Sequence, residues 1–283
     1  MDTTLTAVVI MSSIGIFFGA CLAIAHRFLK VDEDPRLDAV EEMLPGTNCG
    51  ACGEPGCRAF SEAIVGGVKE PCQCTVGSPE DIELIANFLG VAAGEQDKVV
   101  ARLHCAGGLG LAKQIAEYEG YSNCRAAHLV GGGGKGCSWG CLGLDDCMIA
   151  CDFDAIYMND QRLPVVSVEK CTACNDCVEA CPRDLFDLMP VSQKLIVQCN
   201  APLEGNDAYA VCSVCCDGCE RCAADSDGKI VMKDNLPIIE WQNRCEASPK
   251  ATWRCPTGAI KWIEGGQFIQ PTIENKARKE VMA

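Results

Sequence analysis

Four cysteines at 171, 174, 177 and 181, closed by Pro182, constrain this chain more than any other feature. The run CTACNDCVEACP has the spacing C-x2-C-x2-C-x3-C-P, with which bacterial ferredoxin loops hold 4Fe–4S cubanes. Structural zinc needs neither this spacing nor the closing proline and normally pairs two CxxC motifs. In two-cluster proteins the fourth cysteine of each run ligates the other cluster, so a partner run is expected upstream. CSWGCLGLDDCMIAC supplies one in altered form. Cys141, Cys147 and Cys151 hold its first, third and fourth positions, and Leu144 stands at the second. Cys137, four residues earlier, is the expected replacement. One cluster is therefore expected on Cys137, Cys141, Cys147 and Cys181, the other on Cys171, Cys174, Cys177 and Cys151. Ala155-Ile156 and Leu185-Phe186 are expected as short closing strands, and residues 157–170 as a hairpin.

The pattern then repeats. In CSVCCDGCERCAADSDGKI, Cys212 aligns with Cys137, Cys216 with Cys141 and Cys222 with Cys147. Cys219 fills the second position and Ser226 stands at the fourth. In CEASPKATWRCPTGAI, Cys245 and Cys255-Pro256 keep the ends, while Ser248 and Ala251 replace the middle thiols. Crossed ligation makes Cys216, Cys219, Cys222 and Cys255 a complete set and leaves Cys245 with Ser248, Ala251 and Ser226. This unit is expected to hold one cluster and to fill its second site with side chains, Ile230 to Met232 and Trp241 among them. Cys105 in LHCAGG and Cys199 in VQCNAP look like repeat equivalents. With Cys124, Cys212, Cys215 and Cys245 they fall outside the sets. They are read as spare thiols, with a further cluster as the alternative.

A separate module precedes these units. LPGTNCGACGEPGC carries Cys49, Cys52 and Cys57 among glycines, with Cys74 farther on in CQCTVG. Three close cysteines and one remote one suit a cubane, and glycines let the backbone wrap it. Cys72 is the alternative to Cys74. A helix over 58–65 would point its positive end at an anionic cluster. Ser78-Pro79-Glu80-Asp81 predicts the start of another helix, whose apolar face is Ile82, Leu84, Ile85, Phe88 and Leu89.

Leu5 to Ala25 contains no charge and is long enough to span a bilayer. His26, Arg27 and Lys30 follow, which orients the remainder of the chain toward the cytoplasm. The rival is a signal peptide, with Ala23-Ile24-Ala25 as its cleavage site; Asp2 and the lack of basic residues ahead of the apolar run argue against it. A reducing cytoplasm also suits metal ligation by 24 cysteines better than disulfides. The net charge of −15 and the absence of a basic stripe exclude nucleic-acid binding as a main role. The acid is uneven: residues 31–100 carry fourteen carboxylates against four basic side chains, residues 221–283 eight against ten. Gly131 to Gly134 and Lys135 lack the Ser or Thr of a phosphate loop and read as a flexible lead-in to Cys137. No nicotinamide fingerprint and no catalytic triad or carboxylate pair is present. His26, His104 and His128 lie outside the cysteine runs and are read as structural.

The anchor, the LPGTNCGACGEPGC module, the CSWGCLGLDDC run and the tandem cysteine units together resemble RnfB, the B component of the Rnf ion-translocating ferredoxin:NAD oxidoreductase complexes. The resemblance covers nearly the whole chain. It implies a membrane-bound iron–sulfur subunit that accepts electrons from soluble ferredoxin and relays them to other Rnf subunits, which hold the flavins and the nicotinamide site. The complex couples this electron transfer to Na+ or H+ translocation. The expected fold is α+β: an anchor (1–30), a 4Fe–4S domain (31–100), a first ferredoxin-like unit (101–198), a second, partly degenerate one (199–265) and a tail (266–283). Four cubanes, about sixteen iron atoms, are expected. The rivals are a polyferredoxin subunit of another membrane redox enzyme and a zinc-stabilised interaction module.

Overall fold

The computed structural model describes residues 3–29, 34–95, 97–239 and 248–268. Trp241, Arg244 and Cys245 lie outside the described residues. The apolar run forms α1 (Thr3–Leu29), whose last turn carries His26 and Arg27. Its stretch Ala7–Phe28, 22 residues, is long and apolar enough to cross a membrane, and none of it is buried against the rest of the chain.

The first cysteine module is helical, with α2 (Arg36–Met43), α3 (Cys57–Val65), a 3-10 turn (Pro71–Gln73) and α4 (Pro79–Leu89). Val40, Leu44, Phe60, Ile64 and Ile85 form its core. The predicted start of α4 is a capping box: Ser78 Oγ accepts the Asp81 N–H at 3.1 Å, and the Asp81 carboxylate accepts the Ser78 N–H. Gly90, at φ 68°, ends the helix in the left-handed conformation. The predicted apolar face is only partly buried. Ile85 is in the core, whereas Leu84 and Phe88 are exposed.

The rest of the chain is one topology built twice. The first unit runs β1 (Val99–Leu103), α5 (Cys124–Leu129), α6 (Asp146–Ile149), β2 (Ile156–Met158), β3 (Pro164–Val166), α7 (Asp176–Ala180) and β4 (Phe186–Pro190). The second runs β5 (Leu195–Val197), α8 (Gly205–Val211), α9 (Arg221–Ala224), β6 (Ile230–Lys233), β7 (Leu236–Ile239), α10 (Lys250–Trp253) and β8 (Ile260–Trp262). In each unit the inner strands form an antiparallel hairpin, β2 with β3 and β6 with β7. The outer strands pair across the unit, Val99 opposite Pro190 and Leu195 opposite Trp262. Ile156 thus opens the hairpin rather than closing the unit, and β5 begins the second unit before residue 199. The tight turn of the second hairpin, Asp234-Asn235, has φ of 49° and 62°. Two consecutive left-handed residues match the twist of paired strands.

Backbone kinks mark the repeat as clearly as the cysteines do. Strands β2, β4, β6 and β8 each start two residues after a left-handed residue: Asp154, Asp184, Gly228 and Gly258, with φ between 48° and 81°. A second left-handed residue stands two before Cys147, Cys177 and Cys222, at Asp145, Asn175 and Glu220. These kinks turn each loop so that its cysteines face inward. Beneath the loops lie two apolar cores, one around Leu103, Leu163 and Phe186, the other around Leu195, Ile230 and Ile260.

Candidate iron–sulfur centres

In the N-terminal module, Cys52, Cys57 and Cys74 pack beside one core. Asn48, left-handed at φ 49°, uses Oδ1 to accept the Cys57 N–H at 2.8 Å. A Cβ on Gly56 would lie 2.8 Å from that same oxygen, so the loop requires glycine there. Lys69 donates to the Cys52 carbonyl at 2.6 Å and pairs with Glu54 at 2.9 Å. Cys49 precedes Cys52 on this loop. Of the two candidates for the fourth thiol, Cys74 lies within electrostatic reach of Cys52 and Cys57, while Cys72 faces the Glu70 carboxylate.

In the first ferredoxin-like unit, Cys177 has Cys171, Cys174 and Cys151 around it, the predicted crossed set. Cys141, Cys147 and Cys181 line a second cavity, and here the structure departs from the sequence reading. The fourth thiol in that cavity is Cys124; Cys137 faces elsewhere. Cys124 is the first residue of α5. Asn123 caps this helix by accepting the Ala126 N–H at 2.7 Å. The Asp146 carboxylate accepts the N–H groups of Cys124 and Arg125, fastening α5 to α6. Gly131 to Gly134, all with positive φ, fold α5 back over the loop. A Cβ on Gly134 would run into the Ala116 carbonyl, so this stretch is a tight turn and not a flexible lead-in.

In the second unit, Cys216, Cys219, Cys222 and Cys255 line one cavity. Cys219 is exposed, the others are buried or half-buried. The position equivalent to Cys151 holds Ser226, a buried hydroxyl that donates to the Ala223 carbonyl and accepts the Ile230 N–H. Ala251, 1% exposed, packs with Ile230, Ile239 and Ile260. Buried side chains thus stand at two of the four equivalent positions, Ser226 and Ala251. Of the residues expected to fill that volume, Ile230 lies in this core and Met232 packs against it, whereas Val231 is exposed.

The thiols carry the mark of burial. It pushes Cys141, Cys177 and Cys216 up to about 12 and raises Cys147 likewise. Thiolates in such sites need a metal to take the place of the proton. The chemistry of the donor set fits an anionic cluster in another respect. Arg102, 2% exposed and acted on by the Cys171 thiol, has Nε and Nη1 without hydrogen-bond partners. Thr75 Oγ1, next to Cys74, and Arg183 Nε, within electrostatic reach of Cys137, Cys141 and Cys181, are likewise unpartnered. Sulfur acceptors would satisfy all of them. Among the described residues no three Cys, His, Asp or Glu side chains close on a point as a single ion demands.

Paired cysteine loops on a duplicated strand–hairpin–strand frame define a multi-cluster 4Fe–4S protein of the bacterial ferredoxin type. Residues 44–76 match a family described as a putative Fe-S cluster, and residues 164–186 match the 4Fe-4S binding domain. Over 97% of its length the chain is 39% identical to the B component of the Na(+)-translocating ferredoxin:NAD(+) oxidoreductase complex of Acetobacterium woodii, covering 83% of that protein. It is 37% identical over 98% of its length to the B component of the proton-translocating complex of Clostridium ljungdahlii, covering 99% of it. The B component of the ion-translocating oxidoreductase complex of Methanosarcina acetivorans is 35% identical over 91% of the chain and is covered to 97%. The chain belongs to the RnfB family, the B components of Rnf ion-translocating ferredoxin:NAD(+) oxidoreductase complexes.

Proposed function

We propose that this chain takes electrons from reduced ferredoxin and relays them to other subunits of an Rnf complex, which couples their passage toward NAD to the movement of Na+ or H+. The proposed ligand sets are Cys49, Cys52, Cys57 and Cys74; Cys124, Cys141, Cys147 and Cys181; Cys151, Cys171, Cys174 and Cys177; and Cys216, Cys219, Cys222 and Cys255. The observation that carries this reading is the crossing of thiols within the first unit. Cys181 stands with the upstream loop and Cys151 with the downstream one. One small unit thereby holds two sites side by side. A 4Fe–4S cubane supplies one-electron redox chemistry. The protein's part is to hold the sites in series, exclude water from them and set their potentials through buried cations and backbone N–H groups.

The helix α1 serves as the anchor, with the cluster-bearing units on the cytoplasmic side, in keeping with His26 and Arg27 at its end. The exposed Cys219 offers the docking point for ferredoxin, whose acidic surface complements the basic side chains of Arg221, Lys229, Lys233, Lys250 and Arg254. Arg254 is partly neutralised by Asp225 at 2.5 Å. The test is charge reversal of Arg221, Lys233 and Lys250 to Glu in the whole complex, with reduction by ferredoxin followed by stopped flow. The rate is expected to fall and its salt dependence to flatten or invert; an unchanged rate and salt slope would remove this surface from the reading.

A further inference from the structure

Five thiols that the ferredoxin pattern leaves over meet between the two units. Cys105, Cys137, Cys199, Cys212 and Cys215 line one shared cavity. Their places in the repeat are matched. Cys105 follows the end of β1 by two residues, and Cys199 follows the end of β5 by two. Cys137 and Cys212 each precede the first cysteine of their loop by four residues. Cys199 and Cys212 are each within electrostatic reach of both Cys105 and Cys137. Two equivalent cysteines from each repeat therefore meet at this one place.

The backbone there is built, not incidental. The Ala106 N–H donates to the Gln198 carbonyl at 2.9 Å, the Lys113 N–H to Val211 at 2.9 Å and the Ser213 N–H to Leu111 at 3.0 Å. These bonds sew the strand ends of one unit to the α8 end of the other. A Cβ on Gly107 would lie 2.9 Å from Cys212 Sγ, so the main chain abuts a thiol there. Cys105 Sγ accepts the Cys141 N–H at 3.2 Å, the kind of N–H to sulfur bond that stabilises a thiolate. Lys135, 7% exposed, lines the same cavity, and its ammonium donates to the carbonyls of Gly107 and Cys141. Arg183 donates to the carbonyls of Cys137 and Gly140. Neither cation has a carboxylate partner among the described residues. A buried ammonium and a half-buried guanidinium against neutral thiols would be costly, but against a negatively charged cluster they compensate it.

We propose that Cys105, Cys137, Cys199 and Cys212 hold a fifth 4Fe–4S cluster between the units, with Lys135 as its counter-charge. Cys215 is left out because its counterpart in the first unit is Gly140, whereas the other four have partners. The proposal rests on the cubane reading of the other four sites. It also explains how a unit with one site filled by Ser226 and Ala251 stays connected. Cys216 is within electrostatic reach of Cys199, and Cys105 touches the Cys141 loop. A cluster held by Cys105, Cys137, Cys199 and Cys212 would supply a one-electron site between the Cys216 and Cys141 sites, taking one electron from the first and giving it to the second.

The test is the iron and acid-labile sulfide content of the full-length chain purified without oxygen, with single variants beside it. The wild type is expected to hold about twenty iron atoms, four per cubane. Cys137→Ser and Cys212→Ser are each expected to lower this to about sixteen, and Cys215→Ser to leave it unchanged. Lys135→Met is expected to keep the iron and to move the EPR signal of one cluster. A wild type at about sixteen, with no loss in Cys137→Ser or Cys212→Ser while Cys174→Ser loses about four, overturns the fifth cluster alone. If Cys174→Ser also loses none, the reading of the other sites fails instead.

Discussion

Replacing Arg102 by Met separates two effects of one buried charge. Arg102 sits on β1, 2% exposed, with Nε and Nη1 unpartnered and the Cys171 thiol acting on it. Burial alone pushes the guanidinium down. In the cluster-loaded chain sulfur acceptors would pair these N–H groups, so Arg102→Met gives up charge-assisted hydrogen bonds worth roughly 1.5–3 kcal/mol each, while Met fills a similar volume. The potential is a different matter. A unit charge one side-chain length away, ~7 Å, at an effective dielectric of ~20 contributes about 2 kcal/mol to the arrival of one electron. For a one-electron couple, with 59 mV per tenfold, that is ~90 mV. An EPR-monitored redox titration of the full chain is expected to show one cluster, that of Cys151, Cys171, Cys174 and Cys177, ~90 mV more negative in Arg102→Met. Arg102→Lys is expected to recover most of the shift. If every midpoint stays in place with iron content intact, the buried guanidinium is not a tuning charge and the argument fails.

Other consequences concern stability and placement. Phe60, 1% exposed, anchors the small core of the N-terminal module; Phe60→Ala is expected to cost about 3–5 kcal/mol and to make the Cys49–Cys74 site the first to lose iron in a urea series, an ordering that iron release would reveal. The Asp234-Asn235 turn needs left-handed backbone at both positions, and Asn235 Nδ2 donates to the Pro202 carbonyl at 3.2 Å; Asn235→Gly is expected to lose only that bond, about 1 kcal/mol, and Asn235→Val a further ~1–3 kcal/mol from backbone strain, measured by thermal loss of the visible absorbance. A chain lacking residues 1–30 is expected to leave the membrane fraction and keep its absorbance, as fractionation of expressing cells would show.

Much of this protein is legible along the chain because cluster loops are local. Cys171, Cys174, Cys177 and Cys181 stand within eleven residues, so their spacing carries the chemistry, and the repeat at Cys216, Cys219 and Cys222 follows from alignment alone. The capped start of α4 and the long apolar α1 are local signals in the same sense. The replacement of thiols by Ser226, Ser248 and Ala251 is also legible along the chain, because crossed ligation ties their positions together.

What the tertiary structure decided are the partners brought in from a distance. Cys124 lies seventeen residues before Cys141, and only the fold-back of Gly131 to Gly134, with Asp146 holding the α5 terminus, brings it to the Cys141 cavity. Proximity in sequence favoured Cys137, which instead turns to the other unit. The matched thiols of Cys105, Cys137, Cys199 and Cys212 belong to segments up to 107 residues apart. Their meeting depends on how two copies of one topology pack, and packing between repeats leaves no period in the sequence. Residue spacing thus determined which chemistry this protein carries, while the packing of its two units decided which distant thiols are brought together.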